Sequence, residues 1–107
     1  MFQTIDAAAL QRLLQTGPVP RVVDVRSAAE VSQGTIGGAL HIELSALPAR
    51  LSELDPDAPV VLVCQSGARS ARACGYLAQQ GFGHASNLAG GIAAWVHAGL
   101  PLKGPER

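Results

Sequence analysis

Val60-Val61-Leu62-Val63-Cys64-Gln65-Ser66-Gly67-Ala68-Arg69-Ser70 is the stretch on which the reading of this 107-residue chain turns. Four consecutive apolar residues, three of them valine, predict a strand buried on both faces, and Ser70 to Gln80 predicts the helix that follows it. Cys64 then stands at the strand's C-terminal end. The small residues between strand and helix predict a loop whose amides point inward as a nest, joined by the positive end of the helix dipole and the Arg69 guanidinium. All three favour a charged sulfur.

Working outward, strands and helices alternate. Phe2 to Ile5 predicts a first strand, and Asp6 caps a helix over roughly Ala7 to Gln15, with Ile5 and Leu10 as its hydrophobic staple and Gly17-Pro18 as its stop. Arg21 to Val25 predicts a second strand. Ser27-Ala28-Ala29-Glu30 is a capping box that opens a short helix ending near Gly34. Ala39 to Ile42 predicts a third strand, and Pro48 to Leu54 a short helix with proline near its start. After the central strand and its helix, Ala85 to Leu88 predicts a fifth strand, and Gly90-Gly91 turns into a last helix over Ile92 to His97. The tail beyond Leu102 is expected to fray. This alternation predicts an α/β fold, a three-layer αβα arrangement around a five-stranded parallel sheet with right-handed crossovers. Ligands of such folds sit beyond the strand C-termini, where Cys64 falls.

Composition bounds the function. The length suits one domain, spanning residues 1–107. Eight basic residues balance eight acidic ones with no basic cluster, so neither a nucleic-acid nor a membrane-surface partner is expected. No apolar run approaches the roughly 20 residues of a membrane span. Met1 leads into Phe2-Gln3-Thr4-Ile5-Asp6 without a basic or apolar leader region, so a cytoplasmic location with reduced thiols is the expectation. The two cysteines, Cys64 and Cys74, have neither disulfide-scaffold nor zinc-site spacing, and no metal or cofactor is expected.

Four segments in order and spacing resemble the rhodanese family of sulfurtransferases, specifically its single-domain members. They are Val23-Asp24-Val25-Arg26 followed by Glu30; Gly34-Thr35-Ile36-Gly37-Gly38-Ala39-Leu40-His41-Ile42; Cys64 to Ser70; and Leu88-Ala89-Gly90-Gly91-Ile92-Ala93-Ala94-Trp95 followed by Gly99-Leu100-Pro101. The similarity covers nearly the whole chain. It implies a rhodanese-like fold and a ping-pong sulfur relay in which Cys64 takes a sulfane sulfur from thiosulfate or a related donor and passes it, as a persulfide, to cyanide or a thiol. A sulfur-carrier or thioredoxin-like protein is a further acceptor that the resemblance allows. Three positions depart from the pattern. Thr35 stands where relatives commonly carry histidine and Gly37 where they carry proline, both at a structural turn. Gln65 stands where many thiosulfate-using relatives have a second basic residue, which weakens the case for a doubly charged donor.

Cys64 is the candidate nucleophile, and Gln65, Ser66, Gly67, Ala68, Arg69 and Ser70 are the candidate substrate-binding loop, their amides stabilising anionic sulfur as an oxyanion hole stabilises oxygen. Arg69 sits at a helix start, where a cation opposes the dipole unless an anion compensates. It is expected to bind the donor's anionic end or to hold the loop shape. Asp24 and Arg26, at a strand end on the same edge, are expected to support the loop through an ion pair or hydrogen bonds. Glu30 is explained as the capping-box partner of Ser27. Cys74 lies on an apolar helical stripe with Leu77 and Ala78, which favours core packing over a resolving-thiol role. His41, His84 and His97 lack metal-ligand spacing, Gly90-Gly91 is explained by a tight turn, and Trp95 by packing.

The main rival is a cysteine-dependent phosphatase or arsenate reductase of the same architecture. Those phosphatases place five residues between cysteine and arginine, whereas only Gln65, Ser66, Gly67 and Ala68 intervene in this chain, a ring better suited to one sulfur than to a tetrahedral oxyanion. A second rival is a non-catalytic binding module, which the retained cysteine disfavours.

Overall fold

The apolar run builds the centre of the sheet in the computed structural model, which describes residues 2–104. In chain order the elements are β1 (Gln3–Ile5), α1 (Ala7–Thr16), β2 (Arg21–Asp24), α2 (Ala28–Val31), β3 (Leu40–His41), two 3-10 turns (Leu44–Ala46 and Pro48–Glu53), β4 (Val60–Val63), α3 (Ala68–Gln79), β5 (Ala85–Leu88) and α4 (Gly91–His97). The strands form one parallel sheet in the order β1-β5-β4-β2-β3.

Every residue of β4 is buried, because the strand is covered on both sides. Val60, Leu62 and Cys64 face a core built with Ala73, Cys74 and Leu77 of α3. Val61 and Val63 face the opposite core, built with Ala7 and Leu10 of α1 and Ile92 and Trp95 of α4. A continuous apolar strand with period-2 side-chain alternation thus feeds two cores at once. Among the described residues no helix is long and apolar enough to cross a membrane.

Local signals place most boundaries. The Asp6 carboxylate accepts from the Ala9 amide at 2.8 Å, and the Ser27–Glu30 capping box is formed in both directions. Three expectations need correction. β3 is confined to Leu40–His41, since the chain around it is held by single bonds to β2 and the loop after it. The helix after β4 begins at Ala68, two residues before the expected Ser70, because Gly67 takes up φ +104° and hands its successor directly to the first turn. At Lys103 the tail is tied down rather than frayed: its backbone exchanges both hydrogen bonds with Thr35, at 2.8 and 2.7 Å. The last three residues, 105–107, lie outside the described region.

Candidate active site

Cys64 directly follows β4, its side chain on the α3 face and 1% exposed. The Gly67 amide donates to Cys64 Sγ at 3.0 Å, and the Ser70 hydroxyl lies 3.3 Å from the same atom. Burial works against the thiolate, but the Ser70 hydroxyl and the amides of Ser70, Gly67 and Ser66 outweigh it and hold the thiol below its ordinary pKa. Of the amides from Gln65 to Ser70, that of Gly67 makes the direct hydrogen bond to Sγ.

The loop keeps its shape because its carbonyls are held outward. Ile92 and Ala93, in the first turn of α4, donate their amides to the carbonyls of Cys64 at 2.9 Å and Gln65 at 3.1 Å. This contact demands glycine at position 91, where φ is +60° and a Cβ would stand 2.3 Å from the Cys64 carbonyl oxygen. Gly90-Gly91 is therefore more than a tight turn: it brings the amides of one helix onto the backbone of the loop.

Arg69 does not reach into the loop with a free charge. Its two terminal nitrogens fork onto Glu30, 2.6 Å from Oε1 and 2.8 Å from Oε2, so the protein itself supplies the compensating anion. The Arg69 hydrogen bonds hold the Glu30 carboxyl down to about 2, and Glu30 in turn raises the pKa of Arg69, to which a charged Cys64 adds. Glu30, read from sequence as a cap alone, thus also joins α2 to α3.

Asp24 and Arg26 form a buried pair, with Arg26 Nη2 2.8 Å and Nε about 3 Å from the carboxylate. Arg26 Nη2 also donates to the Gly34 carbonyl at 2.7 Å, and the Thr35 hydroxyl donates to Asp24 at 2.7 Å. Thr35 therefore completes the satisfaction of the buried carboxylate. The Arg26 Nη1 proton points toward Gln65 Oε1 at 3.4 Å, which makes Gln65 the link between this pair and the loop.

Asn87 was not foreseen. It lies buried on β5, its Nδ2 donating to the Gly67 carbonyl at 3.1 Å and its Oδ1 2.5 Å from the Ser70 hydroxyl. The signal in the sequence was a primary amide next to Leu88 in a strand destined for burial, since buried amides need partners. Cys74 is wholly buried, and burial pushes its thiol up to about 12. His41 Nε2 pairs with the Arg26 carbonyl at 2.7 Å, and the Trp95 indole donates to the Pro101 carbonyl at 2.9 Å, both structural contacts. No cluster of metal-ligating side chains occurs among the described residues. Beside the loop, a cleft of about 510 Å³ runs between Arg69, Arg72 and Tyr76 on α3 and the Glu43–Pro48 segment.

The family model of the rhodanese-like domain matches residues 6–98. The chain belongs to the rhodanese-like family. As a rhodanese-like domain it is 49% identical over 107 residues to a sulfurtransferase of Allochromatium vinosum, covering 99% of both chains. It is 35% identical over 94 residues to the thiosulfate sulfurtransferase GlpE of Pseudomonas aeruginosa, covering 88% of this chain and 84% of that protein. The crystal structure of a rhodanese-like domain protein from Staphylococcus aureus superposes with a TM-score of 0.88 at 29% identity, covering 98% of this chain and 100% of that one. The rhodanese-like parallel sheet expected from the sequence is thus the fold of solved relatives.

Proposed function

We propose that this rhodanese-like domain is a sulfurtransferase that carries a sulfane sulfur on Cys64. The Cys64 thiolate attacks the outer sulfur of thiosulfate or a related donor. The donor's sulfur–sulfur bond breaks, sulfite or the corresponding leaving group departs with the electron pair, and Cys64 becomes a persulfide. The carbon of cyanide or the sulfur of a thiolate then attacks the terminal sulfur, and the Cys64 thiolate is released again. No external oxidant or reductant enters. The observation that carries this reading is the Gly67 amide aimed at Cys64 Sγ from 3.0 Å, within a loop whose carbonyls are tied away from the sulfur.

Arg69 is neutralised by Glu30 and Arg26 by Asp24, so the loop itself meets an anionic sulfur chiefly with amides. That favours singly charged persulfide donors at least as much as doubly charged thiosulfate. The test is mass spectrometry after incubation with thiosulfate, small-molecule persulfides and mercaptopyruvate in parallel. One added sulfur atom, removed by cyanide and absent in Cys64→Ser, is the expected result, with mercaptopyruvate the poorest donor. An unmodified mass with every donor, or Cys64-dependent hydrolysis of an aryl phosphate, would overturn the assignment.

A further inference from the structure

Three hydrogen-bonding groups, Cys64 Sγ, Ser70 Oγ and Asn87 Oδ1, lie in a row with only one hydroxyl hydrogen between them. The orientation of the Asn87 amide is set by its other end: Nδ2 donates to the Gly67 carbonyl at 3.1 Å, so Oδ1 must be the atom facing Ser70. Two oxygens 2.5 Å apart need a hydrogen between them, and Ser70 holds the only one. That hydrogen cannot also serve the sulfur 3.3 Å away. With the hydrogen on the Asn87 side, Ser70 turns a lone pair toward Cys64, which accepts from an S–H and repels an S⁻. With the hydrogen on the sulfur side, a thiolate is stabilised and the buried Asn87 oxygen loses its donor.

We propose that Asn87 is a positioning residue that claims the Ser70 hydrogen while Cys64 is a thiol and yields it to the sulfur once the thiol proton has left for solvent. The hydroxyl rotates and the Ser70 and Asn87 oxygens draw apart as it does so, while no covalent bond changes. In the sulfur cycle proposed above, on which the functional consequence rests, the same rotation runs back when the sulfur is capped. Sγ of a persulfide carries no charge, so Ser70 returns to Asn87 and the amide donors are left to the terminal sulfur. Asn87 thus couples the state of the sulfur to the position of one hydrogen, from the neighbouring strand β5.

The other charged or titratable groups around the sulfur are Arg69 with its partner Glu30, the Asp24–Arg26 pair, and Arg72, Cys74 and Tyr76 on α3. Replacing Asn87 changes none of them. The two roles open to Asn87 then predict opposite signs. If it merely props the loop through the Gly67 carbonyl, its loss loosens the Gly67 amide and makes the thiolate harder to form. If it competes for the Ser70 hydrogen, its loss frees Ser70 for the sulfur and makes the thiolate easier to form.

The experiment is a pH titration of ultraviolet thiolate absorbance, with Cys64→Ser as the baseline that subtracts Tyr76 and Cys74. Asn87→Leu is expected to raise the thiolate fraction roughly threefold or more at a pH below the midpoint. Asn87→Ala shows the same sign should the leucine variant not fold. In a Ser70→Ala background the gain disappears, because no hydroxyl is left to redirect. A thiolate fraction that falls or stays unchanged on removing Asn87, or a gain that persists without Ser70, would overturn the proposal. The titration uses no sulfur donor, so its failure and a failure of sulfur transfer are separately visible.

Discussion

Arg69 and Glu30, 39 residues apart in sequence, meet through two parallel hydrogen bonds of 2.6 and 2.8 Å and join the two helices that flank the Cys64 loop. A cation in the first turn of α3 opposes the helix dipole, and the carboxylate that offsets it is already fixed as the capping-box residue of α2. One carboxylate therefore serves both a local cap and a tertiary tie.

The pair makes stability depend on acid. The Glu30 carboxyl titrates at about 2 in the folded protein against 4.5 without its partners, so the unfolded chain takes up this proton first. The contribution is complete above the unfolded value and is lost as the pH falls through the folded one. Both side chains are about one-third exposed, and the whole effect should stay near about 1 kcal/mol. Thermal melts of wild type and Glu30→Gln should differ most near neutrality, with the gap shrinking to less than half by about pH 3. A gap that is constant with pH would show that the charge of Glu30 is not what matters.

The two thiols should behave as chemical opposites. Cys64 is held below its ordinary pKa by the loop, while Cys74 is pushed up to about 12 by burial. A small neutral alkylating agent near neutral pH is expected to label Cys64 in the folded protein and Cys74 only after denaturant is added, as read by peptide mapping. Labelling of Cys74 in the native state would contradict its placement.

Two glycines give contrasting outcomes on substitution by alanine. At Gly91 the new methyl group would fall 2.3 Å from the Cys64 carbonyl oxygen with φ at +60°, so Gly91→Ala should cost roughly 2 kcal/mol or more and depress Cys64 reactivity. At Gly75, inside α3, nothing lies within 4 Å of the added carbon. Gly75→Ala should stabilise the protein by about 0.5–1 kcal/mol through helix propensity alone. Urea unfolding of the two variants checks both signs.

Asp24→Asn keeps the shape of the buried carboxylate but leaves Arg26, 3% exposed, without its counter-charge. Removing one member of a buried pair commonly costs about 3–5 kcal/mol, so a loss on that order is expected in the denaturation midpoint. A loss under about 1 kcal/mol would mean that the Gly34 carbonyl and Gln65 suffice to hold the guanidinium.

Most of the architecture was legible because its signals are local. Val60 to Val63 can satisfy a continuous apolar surface only between two helix layers, and Ser27 to Glu30 spells out its own cap. In the tail the cause of the misreading was non-local. The Lys103 backbone is ordered by Thr35, far away in the chain, so its pairing left no trace in the tail's composition. The start of α3 was misplaced because a glycine in the left-handed region serves as its N-cap in place of the usual hydroxyl or carboxylate.

At the loop the division is sharper. The sequence by itself determined that a cysteine ends a buried strand, that four residues separate it from an arginine, and that a helix follows: properties of neighbouring residues, carried by covalent spacing and backbone preference. Only the tertiary structure decided that Arg69 is spent on Glu30, that α4 holds the Cys64 and Gln65 carbonyls outward, and that Asn87 reaches the Ser70 hydroxyl. Each of those depends on which partners the folded backbone brings within 3 Å or so, a distance at which hydrogen bonds form and which no sequence separation encodes.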